Sequence, residues 1–162
     1  MTEAINQQYM CAGWVLLSSS FGDDDSDAAR EFLELARPKQ LAYQHVMATC
    51  QGNPVGVECR AASRPAWAFV LPEVRKSGQF RVQYFDENGF SGDSAFNTLE
   101  DAVEEMVGNG FRIIDAGALD RTAATVRWER GVKVAALHQR CEEGLITYAD
   151  YVAGVKALGT MS

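Results

Sequence analysis

FRVQYFDENGFSGDSAFNTLEDAVEEMVGNGFRIID, residues 80–115, is the stretch whose reading decides the fold. In Phe80-Arg-Val-Gln-Tyr-Phe85, Phe80, Val82 and Tyr84 fall on one side and Arg81 and Gln83 on the other. That period of two is the pattern of a half-buried strand. Asp86-Glu-Asn-Gly89 comes next, and Asn before Gly favours a hairpin because the turn needs positive φ. Phe90 to Phe96 returns as a second strand, with Phe90, Gly92, Ser94 and Phe96 in phase. Asn97 or Thr98 can then cap a helix whose apolar stripe is Leu99, Ala102, Val103, Met106 and Val107. Gly108-Asn-Gly110 supplies its stop, and Phe111 to Ile114 reads as one more short strand. Each local signal in this strand–turn–strand–helix–strand unit agrees with its neighbours, which is what a folding unit requires.

Working outward, Ala66 to Leu71 is an apolar run bounded by Pro65 and Pro72 and suits a buried strand beside the hairpin. The expectation is therefore an α+β fold built on an antiparallel sheet of about three to four strands, with a β-β-α-β core unit and the helix on one face. Residues 51–65 hold Gly52, Pro54 and Gly56 and read as a loop, with a short strand over Val55 to Cys59. Upstream, Ala4 to Ser18 reads as a helix on Ile5, Met10, Trp14 and Leu17. Asp25 or Ser26 caps a second helix, Ala28 to Ala36, which Pro38 cuts or follows by opening a third over Leu41 to Cys50. Downstream, Thr122 to Arg130 fits either a strand or the start of a helix capped by Asp120. From Val132 the spacing of Val134, Leu137 and Cys141 is helical, Gly144 stops it, and Thr147 caps a last helix with Tyr151, Val155 and Leu158 on one side. A single domain over residues 1–162 is expected, with a helical N-terminal part (1–50), a sheet–helix core (66–117) and a C-terminal helical hairpin (118–162).

With 47% hydrophobic residues, the 162-residue chain has the composition of a globular protein rather than a disordered one. No apolar run is long enough to span a bilayer, and the residues after Met1 lack the basic start of a signal peptide. These point to a cytoplasmic protein in which Cys11, Cys50, Cys59 and Cys141 stay reduced. The formal charge is −7, and residues 77–117 carry 8 acids against 2 bases. A direct nucleic-acid binder would be basic, so this balance points to a basic partner instead.

Ser91 in Gly89-Phe-Ser-Gly92 has its second glycine one place early for a nucleophile elbow. His138 and Cys141 lie one helical turn apart, without a basic setting to activate the thiol. Cys50, Cys59, His138 and Cys141 lack the spacing of a zinc finger. Asp23, Asp25, Asp27, Glu31 and Glu34 match the ligand spacing of a calcium loop, but Ala28 stands where that loop needs glycine. An acid-rich helix start is the better reading of that run. No phosphate-binding glycine motif is present, and no metal or cofactor is expected.

The segment Leu137 to Leu158, with its Glu143-Gly-Leu-Ile-Thr147 turn, the Asp150-Tyr151 pair, Lys156 and Leu158, resembles the SHOCT-type short C-terminal helical hairpin. Gly154 and the alanines around it depart from that pattern and narrow the packing face. The resemblance implies a helical appendage, with homodimerisation as its expected use, and nothing catalytic.

The functional expectation is a non-enzymatic acidic interaction protein. Its candidate partner-binding residues are Phe85, Asp86, Glu87, Phe90, Asp93, Glu100, Asp101, Glu104 and Glu105. The expected partner is a basic protein or a nucleic-acid-binding complex, with no direct contact to nucleic acid and none to a membrane. By analogy of size and charge, such a chain compares with counter-defence inhibitors of phages and plasmids, the anti-CRISPR and antirestriction types, which imitate phosphate. The alternative is a small enzyme or ligand-binding domain with its site near His45, Cys59 and Trp67, bordered by Cys50, Arg60 and Arg64.

Overall fold

The structure is a computed structural model and describes residues 3–160. In chain order its elements are α1 (Ala12–Phe21), α2 (Asp27–Thr49), β1 (Cys59–Ala61), β2 (Ala66–Pro72), β3 (Phe80–Asp86), β4 (Gly89–Phe96), α3 (Leu99–Gly108), β5 (Phe111–Ile114), α4 (Ala118–Ala123), α5 (Val126–Glu142) and α6 (Tyr148–Gly159). The strands form one five-stranded sheet in the order β4-β3-β2-β1-β5, antiparallel throughout. The α+β class is as expected, and the sheet is one strand larger than the expected three or four. The added strand is β1, three residues in the stretch read mainly as loop. Val55, inside the expected strand, makes only a single parallel bridge to Val70.

The unit over residues 80–115 forms in the expected order with one correction: Ser91 is an extra residue in β4, so Phe90 lies with Phe85 and Trp128 on one sheet face while Phe96 packs on the other, and the two are not in phase. Asp86 pairs with Gly89 across a two-residue turn, Glu87-Asn88, and the Asp86 carboxylate accepts from the Asn88 amide at 2.7 Å. Thr98 caps α3 by accepting from the Asp101 amide at 3.0 Å. Its stripe of Ala102, Val103, Met106 and Val107 is fully buried. There it meets Val70 and Val82 of the sheet and Tyr43, Val46 and Met47 of α2. β5 leaves the hairpin altogether and pairs with β1 at the far edge, because α3 carries the chain across the sheet face.

The run Ala66–Val70 is buried at every position, the mark of a strand covered on both faces. Ala68 and Val70 face the α2/α3 side, whereas Trp67 and Phe69 belong to a second core with Phe85, Ala118 and Trp128. That second core is roofed by α4 and the start of α5, so residues 122–130 hold two helix ends joined at Ala124-Thr125 and no strand, and Asp120 lies inside α4 instead of capping α5. Thr125 fixes the start of α5 by accepting from the Trp128 amide at 3.1 Å.

Two N-terminal expectations are corrected. The helix expected over residues 4–18 begins only at Ala12. The reason is a pair of buried glutamines one turn apart on α2. Gln44 accepts from the Asn6 amide and donates to the Ala4 carbonyl, while Gln40 accepts from the Cys11 amide and donates to the Tyr9 carbonyl, all at 2.7–2.9 Å. These amides bond the chain at residues 4–6 and 9–11, on either side of a turn in which the Tyr9 amide donates to the Asn6 carbonyl at 3.1 Å, and so replace the helical ladder. The second correction is that Pro38 does not cut α2, which runs unbroken for 23 residues. Pro38 is exposed, and burial of Ala29 before it and Gln40, Tyr43 and Gln44 after it holds the helix through the missing hydrogen bond. Among the described residues no helix is long and apolar enough to cross a membrane.

Candidate interaction surface

The nine candidate residues divide into two groups. Phe85 is not at the surface: it is completely buried, stacked on Trp67 at 5.5 Å and met edge-on by Phe69, Phe90 and Trp128. This corrects its assignment as a contact residue. A register shift between Tyr84 and Phe85, where Ser91 is the extra residue of β4, lies next to it in the hairpin. Phe90, 56% exposed, lies edge-on to Trp128 at 5.2 Å.

The acids of the hairpin are largely used inside the molecule. Glu87 pairs with Arg127 of α5 at 2.6 Å, and the same guanidinium donates to the Asn88 side chain at 3.0 Å. Asp93 lies 3.9 Å from Arg81. Asp86 shapes the turn. The signal for this docking lay in Gly131, a lone glycine inside an otherwise helical stretch. A Cβ there would sit 1.7 Å from the Asn88 carbonyl oxygen, so only glycine lets α5 lie on the turn. Arg127, Trp128 and Gly131 are therefore the residues that sequence reasoning missed: they lock the hairpin against the C-terminal half.

On α3 the picture differs. Glu104 is internal in role, its carboxylate taking the Lys39 ammonium at 2.8 Å and the Gly13 amide at 3.0 Å. Burial would raise its pKa, but the Lys39 hydrogen bond and charge, with the Gly13 amide, outweigh burial and hold it below the usual range. Glu100, Asp101 and Glu105 remain exposed, with no ion pair among the described residues. The Tyr43 hydroxyl is pushed up first by burial and then by the negative charge of Glu100, with Glu104 and Asp101 adding to it.

Beside this ridge opens a cleft of about 400 Å³ lined by Arg64, Tyr84, Asp86, Ser91, Asn109 and Phe111. Asn109 joins ridge and cleft, donating to the Tyr84 hydroxyl at 2.9 Å and to Glu105 at 3.2 Å. The Arg64 guanidinium lies 5.5 Å from the Phe111 ring centre on the opposite wall. The cleft thus holds the Asp86 carboxylate, the Tyr84 phenol, the Asn109 amide and the Arg64 guanidinium, and meets α3 at Glu105 through Asn109.

The residues of the alternative site do not converge. His45 is exposed on α2, Cys59 faces the α2/α3 core, and Trp67 lies on the opposite sheet face, where its indole donates to Asp115 at 2.8 Å. Burial pushes the Cys59 thiol up to about 12, the reverse of what a nucleophile needs. Among the described residues no three His, Cys, Asp or Glu side chains gather in a metal-ligating group, so the acid run of 23–34 does not fold into a calcium loop. Instead Ser26 caps α2 by accepting from the Ala29 amide. No family model, curated protein or solved structure matches the chain.

Proposed function

We propose that this chain is a non-enzymatic interaction protein that takes a basic partner, a protein that itself handles nucleic acid, on the outer face of α3. One observation carries the reading. Of the clustered acids, Glu100, Asp101 and Glu105 alone combine exposure with the absence of an ion pair among the described residues, and Glu105 is tied through Asn109 to the cleft beside α3. Unpaired surface carboxylates cost nothing to desolvate from an existing cation, so their field is available to steer an approaching basic surface. Occupying a nuclease groove by imitating phosphate, as counter-defence inhibitors of the anti-CRISPR and antirestriction types do, is the form of inhibition this surface suits. The test is capture of basic proteins from a bacterial lysate by the wild type and by a Glu100→Gln, Asp101→Asn, Glu105→Gln variant, at low and high salt. The partner is expected to be lost in the variant and at high salt. A partner retained by the variant refutes the reading. Glu104 is left intact because its removal would disturb the fold.

A second reading concerns the C-terminal hairpin. α6 contains no buried residue, packs chiefly on α5, and leaves Leu145 and Tyr148 exposed. Between the two helices runs a groove of about 380 Å³ floored by Ala136, Leu137, Gly154, Ala157 and Leu158. This supports the SHOCT-like reading of self-association through the hairpin. Sedimentation of the wild type against a Tyr148→Ser, Val152→Ser variant tests it, and an unchanged oligomeric state in the two counts against it.

A further inference from the structure

The helical arm formed by α1 and α2 carries an apolar stripe that the rest of the molecule leaves uncovered. Leu16 is 68% exposed, Leu35 73% and Phe32 54%. Their placement follows from one contact. Gly13 of α1 and Lys39 of α2 both bond the same Glu104 oxygen, so that side of the helix pair faces α3. Leu16 lies three residues beyond Gly13 and Leu35 four before Lys39, each one turn further along the same side. Phe32 follows one turn beyond Leu35 and stacks on Phe21 of α1 at 5.6 Å. α3 ends at Gly108, whose would-be Cβ lies 3.7 Å from Lys39 Cδ. The stripe is thus the continuation of the face that α3 covers, past the point where α3 stops.

α1 shows the same incompleteness. Trp14, Leu17 and Phe21 are partly buried, while Val15 and Leu16 are exposed on other sides. A helix apolar on more than one side is ordinarily covered on both. The charge around the stripe specifies what would cover it. Residues 22–36 carry Asp23, Asp24, Asp25, Asp27, Glu31 and Glu34 against Arg30, which is paired with Asp27; beyond Leu35, Lys39 is taken by Glu104 and Arg37 donates to the Glu3 carbonyl.

We propose that the α1–α2 arm is a docking surface for a basic amphipathic helix of a partner protein. Such a helix lies in line with α3 and extends the same packing. Its apolar side chains, at helical spacing, rest on Leu16, Phe32 and Leu35, and its lysines and arginines meet Glu31 and the acids at the tip of the arm. The residues involved are distinct from the α3 acids, so this surface and the α3 surface stand or fall separately.

The probe is a labelled synthetic helix with leucines at i, i+3 and i+4 spacing and lysines elsewhere. It is compared with a twin carrying glutamates in place of the lysines and with a scrambled lysine peptide that has no apolar face. Fluorescence anisotropy reads binding to the wild type, to a Leu16→Ser, Leu35→Ser variant, and to the variant lacking the charges of Glu100, Asp101 and Glu105. Both leucines are exposed, so thermal unfolding of the double variant should match the wild type. The lysine helix is expected to bind the wild type at least about tenfold more tightly than either control peptide, and the double serine variant at least about tenfold more weakly than the wild type. The α3 variant should retain that binding, which separates this surface from the one proposed above. Equal binding of the glutamate twin, undiminished binding by the double serine variant, or no binding of the lysine helix overturns the proposal. A concentration-dependent dimer abolished by the two serines also overturns it, since the stripe would then be covered by a second copy.

Discussion

Replacing Gly131 by alanine sets two opposed effects against each other at one atom. In the interior of an exposed helix, Gly→Ala ordinarily stabilises by about 0.8–1 kcal/mol, because glycine loses more backbone freedom on folding. At this position the added Cβ would lie 1.7 Å from the Asn88 carbonyl oxygen, 2.4 Å from its carbon and 2.7 Å from its Cα. A carbon–oxygen contact is comfortable only beyond about 3.3 Å, so α5 and the turn must separate by about 1.5 Å. The neighbour is backbone in a tight turn, so no side-chain rotation can absorb the clash. Separation pulls Arg127 from Glu87 and Asn88, a loss worth only about 0–1 kcal/mol at an exposed site. The larger loss is Trp128, which would be lifted off Phe85 and Phe90 and so open the second core. Overpacking of this kind costs about 1–3 kcal/mol, and two aromatic contacts add about 0.5–1.5 kcal/mol each. After subtracting the helix-propensity gain, the net is a destabilisation of about 1–5 kcal/mol. In a chain of this length that lowers Tm by about 2–4 °C per kcal/mol. Thermal unfolding followed by circular dichroism measures the shift, and tryptophan emission should move to longer wavelength as Trp128 becomes wetter. Gly159→Ala is the control, since nothing lies within 4 Å of its would-be Cβ, and its Tm should hold or rise slightly. If Gly131→Ala melts at or above the wild-type temperature, the account of how α5 is held on the hairpin is wrong.

Two further expectations concern titratable groups. Burial raises the Cys59 thiol from its usual 9.0 to about 12 and raises Cys11 as well, so a thiol reagent at mildly alkaline pH should modify Cys141 in the folded protein and reach Cys11 and Cys59 only on unfolding. Prompt labelling of Cys59 in the native state would contradict its burial. Because the folded Cys59 pKa is the higher one, its contribution to stability is complete below about pH 9 and is lost as pH rises toward about 12; a Cys59→Ala variant should show a shallower fall of Tm over that window. For Glu104 the sign is opposite: its folded pKa is depressed, so stability is present above the usual 4.5 and lost as pH falls through the lower folded value. Tm measured against pH should therefore decline less steeply below about pH 4.5 in Glu104→Gln than in the wild type, and identical slopes would remove Glu104 from the acid response.

The sequence by itself determined the elements whose signals are local. The alternation of Phe80, Val82 and Tyr84, the Thr98 cap and the stripe of α3 each depend on neighbours within a few residues and formed as read; the hairpin formed too, with Glu87-Asn88 as its turn and Gly89 opening β4. The Thr147 cap belongs to the same class, completed by the Asp150 side chain in a capping box. Tertiary structure alone decided what depends on distant partners. Gln40 and Gln44 hold a helical sequence out of the helix, from 29 to 40 residues away. β1 exists because β2 and β5 flank it, and Pro38 is tolerated because the burial of Gln40, Tyr43, Val46 and Met47 just after it holds α2 on the core. The candidate surface divides along the same line. Charge along the chain marked residues 77–117 as acidic, since a carboxylate is legible in one letter. Which carboxylates remain available was not legible, because an acid is neutralised by whatever cation the fold brings to it. Glu87 meets Arg127, Glu104 meets Lys39, and among the described residues Glu100, Asp101 and Glu105 on α3 are left exposed without a cation.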